Sequence, residues 1–196
     1  MSPMDSIKYY KHFLRSGLVS IEPQTGHIKA WVGGINNKHF KYDAVAQQKR
    51  QVGSTFKPFV YATAINQLRM SPCDAFPNTP YTIPQGKYGI PEEWTPGNSN
   101  EKYGGMLTLK DGLAGSVNTM SARLIDKVGP ENVVRLAKAA GIETEIQANP
   151  SIALGAIDLS LLEMVSAYST FANKGLRVNP MIITRIEDKN GTVLKD

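Results

Sequence analysis

The sequence predicts an α+β domain of capped helices and antiparallel hairpins. Three observations point there. Two alternating segments flank a Pro-Gly turn near the start, capped helical patterns fill residues 108–175, and a second hairpin pattern closes the sequence around Asn190-Gly191. The 196 residues, 41% of them hydrophobic, suit one domain with a real core.

The elements follow in order. Residues 4–17 read as a short helix, with Asp5 or Ser6 as its cap and Gly17 as its stop. Residues 18–34 read as a β-hairpin, because alternating strands flank Pro23-Gln24-Thr25-Gly26. Residues 34–50 are polar and basic and read as a loop. A helix should begin near Ser54 and run to Arg69, since Pro58 fits only where backbone N–H groups lack helical partners. Residues 71–106 hold Pro72, Pro77, Pro80, Pro84, Pro91 and Pro96 and read as a long irregular segment. Thr108-Leu109-Lys110-Asp111 resembles a capping box opening a short helix that stops near Gly115. Further helices are predicted from Thr119 to Val128 and from Pro130 to Gly141. The last begins at the Ser160/Glu163 capping box and is closed by Gly175.

Composition excludes several function classes. Cys73 is the only cysteine, which leaves no disulfide framework and no cysteine metal site. His12, His27 and His39 lack paired helical spacing, so no metal or cofactor is expected. Residues 1–57 carry nine Lys/Arg against three Asp/Glu, within a net charge of +5. No nucleic-acid motif accompanies them, and a solvated basic face is the expected reading. No apolar run approaches the roughly 18 residues of a membrane helix, and the N-terminus lacks signal-peptide character.

The chemistry centres on Gly53-Ser54-Thr55-Phe56-Lys57. Three residues apart on a helix start, Ser54 and Lys57 share a face. A serine hydroxyl needs a base to become a nucleophile, and lysine serves only if burial or nearby positive charge lowers its pKa. The spacing alone is weak evidence: Ser99 and Lys102 repeat it within the Pro/Gly-rich segment. A helix cap beside a solvated lysine explains Ser54 and Lys57 equally well. Ser116-Val117-Asn118 is the one Ser-x-Asn, at a break between predicted helices. There a second hydroxyl can relay a proton and a carboxamide can hold a substrate amide, although capping suits both side chains too.

Ser-x-x-Lys with a Ser-x-Asn element belongs to the set found in penicillin-binding proteins and class A β-lactamases. The resemblance extends further. Residues 50–65 (RQVGSTFKPFVYATAI) resemble the nucleophile segment of bifunctional, class A penicillin-binding proteins, and residues 103–124 resemble their second-motif segment. Residues 150–175 resemble the segment that follows, and residues 20–34 the hairpin that opens the transpeptidase domain. The resemblance implies the penicillin-binding protein/serine β-lactamase-like fold, with residues 1–17 as a leading linker and short helix and 18–196 as the transpeptidase domain. It implies a D,D-transpeptidase or carboxypeptidase working on peptidoglycan stem peptides, which the full-length family does at the outer, periplasmic face of the bacterial inner membrane. Ser54 would be the nucleophile for D-Ala-D-Ala and for β-lactams, Lys57 its base, Ser116 the proton shuttle, and Asn118 a ligand for the donor peptide.

The family's third element, Lys-Thr-Gly or Lys-Ser-Gly, occurs nowhere. Nor do the family's glycosyltransferase domain and membrane anchor. The expectation is a truncated domain that keeps only the first hairpin of a five-stranded sheet. An open strand edge and a cleft lacking one wall then imply little or no activity alone. Two other classes stay open: a penicillin-recognising β-lactamase or sensor domain, and a non-catalytic binding remnant.

Overall fold

The computed structural model describes residues 2–39 and 41–195. They form two compact units, one of residues 2–39, 41–49 and 160–195, the other of 50–159.

In the first unit, α1 (Pro3–Lys11) is capped by Ser2, whose hydroxyl accepts from Asp5 N while the Asp5 carboxylate accepts from Ser2 N. This corrects the predicted cap at Asp5 or Ser6. Asp5 belongs to the capping box as its third helical residue, and Pro3 occupies the first turn, where its missing N–H costs nothing. The helix stops at His12, short of Gly17.

β1 (Leu18–Ile21) and β2 (Ile28–Val32) form the predicted antiparallel hairpin, with a register shift at Ser20/Ile21. Beyond it Asp43 organises the loop. Its Oδ1 accepts from Val45 N and Ala46 N, and its Oδ2 accepts from Trp31 Nε1 at 2.8 Å. α6 (Leu161–Ala172) packs on β1 and starts at the predicted Ser160/Glu163 capping box. Leu162 N donates to Val45 O at 3.0 Å, and Val45, Met164 and Ala167 are buried. β7 (Ile186–Glu187) and β8 (Val193–Lys195) form the second predicted hairpin. Met181 joins the first hairpin through two bonds: Ile28 N donates to Met181 O and Met181 N donates to Gly26 O.

The second unit is helical. α2 (Lys57–Leu68) packs on α4 (Asn118–Val128) and α5 (Pro130–Ala139). Phe56, Phe59, Val60, Met120, Leu124, Ile125, Val133 and Ile152 form its core, each with no solvent exposure. Burial of side chains this size contributes about 1.5–3 kcal/mol apiece. α3 (Leu109–Ala114) begins at Thr108, whose hydroxyl accepts from Asp111 N as the sequence predicts.

The Pro-rich segment is more ordered than predicted. β4 (Ala75–Pro77) pairs antiparallel with β5 (Met106–Thr108), and Ile83 and Trp94 exchange backbone hydrogen bonds. The local sequence hides these pairs, because each joins residues well separated along the chain. Of β3 (Lys49–Gln51) and β6 (Asp158–Ser160), which pair, residues 50–51 and 158–159 belong to this unit. Among the described residues no helix is long and apolar enough to cross a membrane.

Candidate active site

Ser54, Lys57, Ser116 and Asn118 all lie in the second unit. Ser54 stands in a 3-10 turn, Gly53–Phe56, which runs directly into α2. The α-helix proper begins at Lys57, three residues later than predicted. Two backbone bonds hold the turn: Val52 N donates to Ile157 O, and Gly53 N donates to Gly155 O at 3.1 Å. Gly53 and Gly155 both have positive φ, 56° and 69°. A Cβ on Gly155 would lie 1.9 Å from Gly53 O, so only glycine permits this approach. Ser54 is thereby presented at the exposed tip of a buried frame.

Lys57 is 1% exposed. Its ammonium donates to three neutral acceptors: Ser116 O at 2.6 Å, Asn118 Oδ1 at 2.7 Å and Ser116 Oγ at 3.0 Å. Burial pulls its pKa down from 10.5 to about 8. At pH 7 about one molecule in ten then carries a neutral lysine, against about one in three thousand for an unperturbed side chain. Among the described residues no hydrogen bond joins Ser54 Oγ to Lys57 Nζ.

Ser116 bridges α3 and α4 with φ 51°, a left-handed conformation that is rare for serine. That turn brings its carbonyl and its hydroxyl onto the same ammonium. Neither Ser116 nor Asn118 caps α4 with its side chain. Asn98 Oδ1 does, accepting from Asn118 N at 3.0 Å and Thr119 N at 3.2 Å. Asn118 instead spends Oδ1 on Lys57 and donates from Nδ2 to Gly97 O at 2.7 Å. Its second amide N–H is left for another acceptor.

Asn98 is the residue that sequence reasoning missed. It neighbours the pair Ser99 and Lys102, which is exposed. Asn98 Nδ2 donates to Asn78 Oδ1 and Lys102 O, both at 2.9 Å, and Asn78 Oδ1 accepts in turn from Thr119 Oγ1. These partners are 4 to 41 residues apart, so no local pattern marks them. Tyr103 Oη accepts from Asn98 N at 3.3 Å and so anchors this loop. Trp94 lines a separate cleft of about 550 Å³ with Tyr88–Glu93 and Gln147–Ser151. Among the described residues no group of three or more His, Cys, Asp or Glu side chains could hold a metal.

Comparison with known proteins adds a family. Residues 17–196 match the family described as "Penicillin binding protein transpeptidase domain". The chain is 37% identical over 185 residues to penicillin-binding protein 1A of Aquifex aeolicus, covering 93% of this chain and 25% of that protein. Among solved structures, penicillin-binding protein 1A from Haemophilus influenzae superposes with a TM-score of 0.84 at 32% identity, over 92% of this chain and 27% of that one. The PonA1 protein of Mycobacterium tuberculosis in complex with penicillin V gives 0.78 at 27% identity, over 98% and 54%. The chain thus spans about a quarter of the length of the curated relative it matches.

Proposed function

Because the chain belongs to the penicillin-binding protein transpeptidase family, we propose that Ser54 is the nucleophile of a serine D,D-transpeptidase that cross-links peptidoglycan stem peptides. The observation that carries this reading is the buried Lys57, held by Ser116 and Asn118 one helical turn from Ser54. Neutral Lys57 takes the hydroxyl proton of Ser54, and Oγ attacks the carbonyl of the D-Ala-D-Ala bond. Ser116 passes the proton to the departing D-Ala amine. The acyl-enzyme is released by the amine of a second stem peptide. The Ser54 backbone N–H supplies half of the oxyanion hole, and the remaining Asn118 amide N–H receives the donor peptide.

A β-lactam would acylate Ser54 in the same way and block it. Residues 18–196 are taken as the transpeptidase domain, acting on the periplasmic face of the bacterial inner membrane. No Lys-Thr-Gly or Lys-Ser-Gly occurs, so no cation from that element meets a substrate carboxylate, and activity of this chain alone should be weak.

Incubation with a fluorescent penicillin, followed by peptide mass spectrometry, tests the chemistry. A slow covalent adduct on the Ser54 peptide, absent in Ser54→Ala, is expected. Equal labelling of the two proteins would overturn the assignment. Steady turnover of a chromogenic cephalosporin would favour the β-lactamase alternative.

A further inference from the structure

Three neutral side chains, Asn98, Asn78 and Thr119, form a buried chain of hydrogen bonds at the start of α4. Asn98 and Asn78 are 7% and 8% exposed, and Thr119 has no exposure. Asn98 is saturated. Its Oδ1 accepts two N–H groups, its Nδ2 donates twice, and its own N–H is held by Tyr103 Oη. The first turn of a helix has N–H groups in need of acceptors, and the residues best suited to supply one locally are serine and asparagine. The cap position of α4 is Val117, which has no side-chain acceptor, so its neighbours Ser116 and Asn118 are the nearest residues that could offer one. Had either folded back to cap α4, its oxygen would be lost to Lys57.

We infer that Asn98 is a positioning residue: by capping α4 from outside, its carboxamide releases the Ser116 and Asn118 side chains to hold Lys57. Asn78 and Thr119 fix the orientation of that carboxamide. Asn78 Oδ1 accepts from both Asn98 Nδ2 and Thr119 Oγ1, so a flipped Asn98 amide would set its oxygen against Asn78 Oδ1. The loop before α3 therefore belongs to the site through hydrogen bonding. This inference rests on the reading of Lys57 as the base for Ser54.

The test reads Lys57 directly. Its Cε–H resonance in lysine-labelled protein, assigned with Lys57→Arg, is followed through a pH titration. The groups that touch the ammonium are all neutral, so burial alone sets its value in the parent protein, about 8. Asn98→Ala removes the cap, lets Asn118 turn back to its own helix and admits water, which should raise the Lys57 pKa. Asn98→Asp can keep both accepting bonds but sets its second oxygen against Asn78 Oδ1 and Lys102 O, and it places an anion on the backbone N–H of Asn118, the ammonium's partner, which should raise the value. Asn132→Ala is the control. Asn132 Nδ2 donates to Val128 O at the far end of the same helix, so its loss weakens α4 without touching the cluster.

Upward shifts in both Asn98 variants, with the Asn132→Ala value unmoved, are the expected result. A Lys57 pKa unchanged in folded Asn98→Asp and Asn98→Ala would overturn the inference. Failure of both variants to fold while Asn132→Ala folds would assign Asn98 to stability alone and overturn it equally. The titration involves no acylation. A shifted Lys57 with no penicillin adduct would leave the positioning role standing and remove the serine chemistry, and the converse pair of results would do the reverse.

Discussion

Replacing Lys57 with Met should change stability by an amount that depends on pH, because the folded state holds this lysine at about 8 against an ordinary value of 10.5. Below pH 8 both folded and unfolded chains carry the proton, and folding bears the full cost of burying the charge. Between about pH 8 and 10.5 the folded chain has released the proton while the unfolded chain keeps it, so stability rises with pH. Above that window the cost is gone. At 1.36 kcal/mol per unit the gap corresponds to about 3 kcal/mol. Lys57 is buried, so solvent screening does not reduce it. Lys57→Met has no such titration. It also strands Ser116 O and Asn118 Oδ1, but that loss is independent of pH. Urea unfolding of both proteins at several values from pH 7 to 10.5 gives the comparison. Trp31 lies in the first unit and Trp94 in the second, so a Trp31→Phe background makes fluorescence report on the unit that holds Lys57. The difference between the two proteins should move by about 3 kcal/mol across the window in favour of Lys57. Curves that stay parallel within about 1 kcal/mol would show that Lys57 titrates as an ordinary lysine, and the argument for it as a base would fail.

Three further substitutions probe the frame. Gly155→Ala forces a Cβ into Gly53 O and a left-handed alanine, and should cost about 2–4 kcal/mol in urea unfolding while abolishing any penicillin adduct on Ser54. Asp126→Ala removes the carboxylate that accepts from Tyr81 Oη and pairs with Lys87, both at 2.7 Å; with Lys87 partly exposed the loss should be about 1–2 kcal/mol, and limited proteolysis should begin within residues 81–95. Burial pushes the Asp126 carboxyl up, but the bonds from Lys87 and Tyr81 outweigh it and hold it low, so its stabilising contribution should fade as pH falls below the ordinary carboxylate range, and acid titration of the parent against Asp126→Ala checks this. Ser160→Ala breaks the capping box of α6 and should cost about 1 kcal/mol, read as a lower melting temperature of the first unit.

The helices were legible where local chemistry sets them. Thr108 with Asp111, Ser160 with Glu163, and Pro130 after Gly129 each place a start within a residue, since a cap and its target lie in one turn. The same logic was available at Ser2-Pro3-Met4-Asp5, where aspartate takes the place of the more familiar glutamate. What local reading could not give were features fixed across the chain. The 3-10 turn under Ser54 exists because Gly53 meets Gly155, and the ladder inside the Pro-rich segment exists because Ala75 meets Thr108. The site divides the same way. Ser54, Lys57, Ser116 and Asn118 stood out as motif residues, whereas Asn98 carries no motif and becomes visible only when the backbone groups it satisfies are counted.

The donor count around Lys57 bears on how the proposed chemistry would run. A protonated lysine has three N–H donors, and the cluster offers three acceptors, so the resting arrangement matches the charged form. A neutral lysine has two N–H donors and a lone pair. Ser116 O and Asn118 Oδ1 can only accept, so they keep the two N–H groups and the third partner must change. Ser116 Oγ, the longest contact at 3.0 Å, is the one partner that can turn from acceptor to donor. Its left-handed backbone fixes the carbonyl on Lys57 and leaves the hydroxyl free to rotate. Deprotonation of Lys57 therefore turns the Ser116 hydroxyl toward the new lone pair, and in the proposed reaction that hydrogen bond must break before the lone pair can take the Ser54 proton. If Lys57 is the base and Ser116 the relay, as proposed, the two are coupled through a single ammonium, which gives a physical reason for the two motifs to meet at one atom.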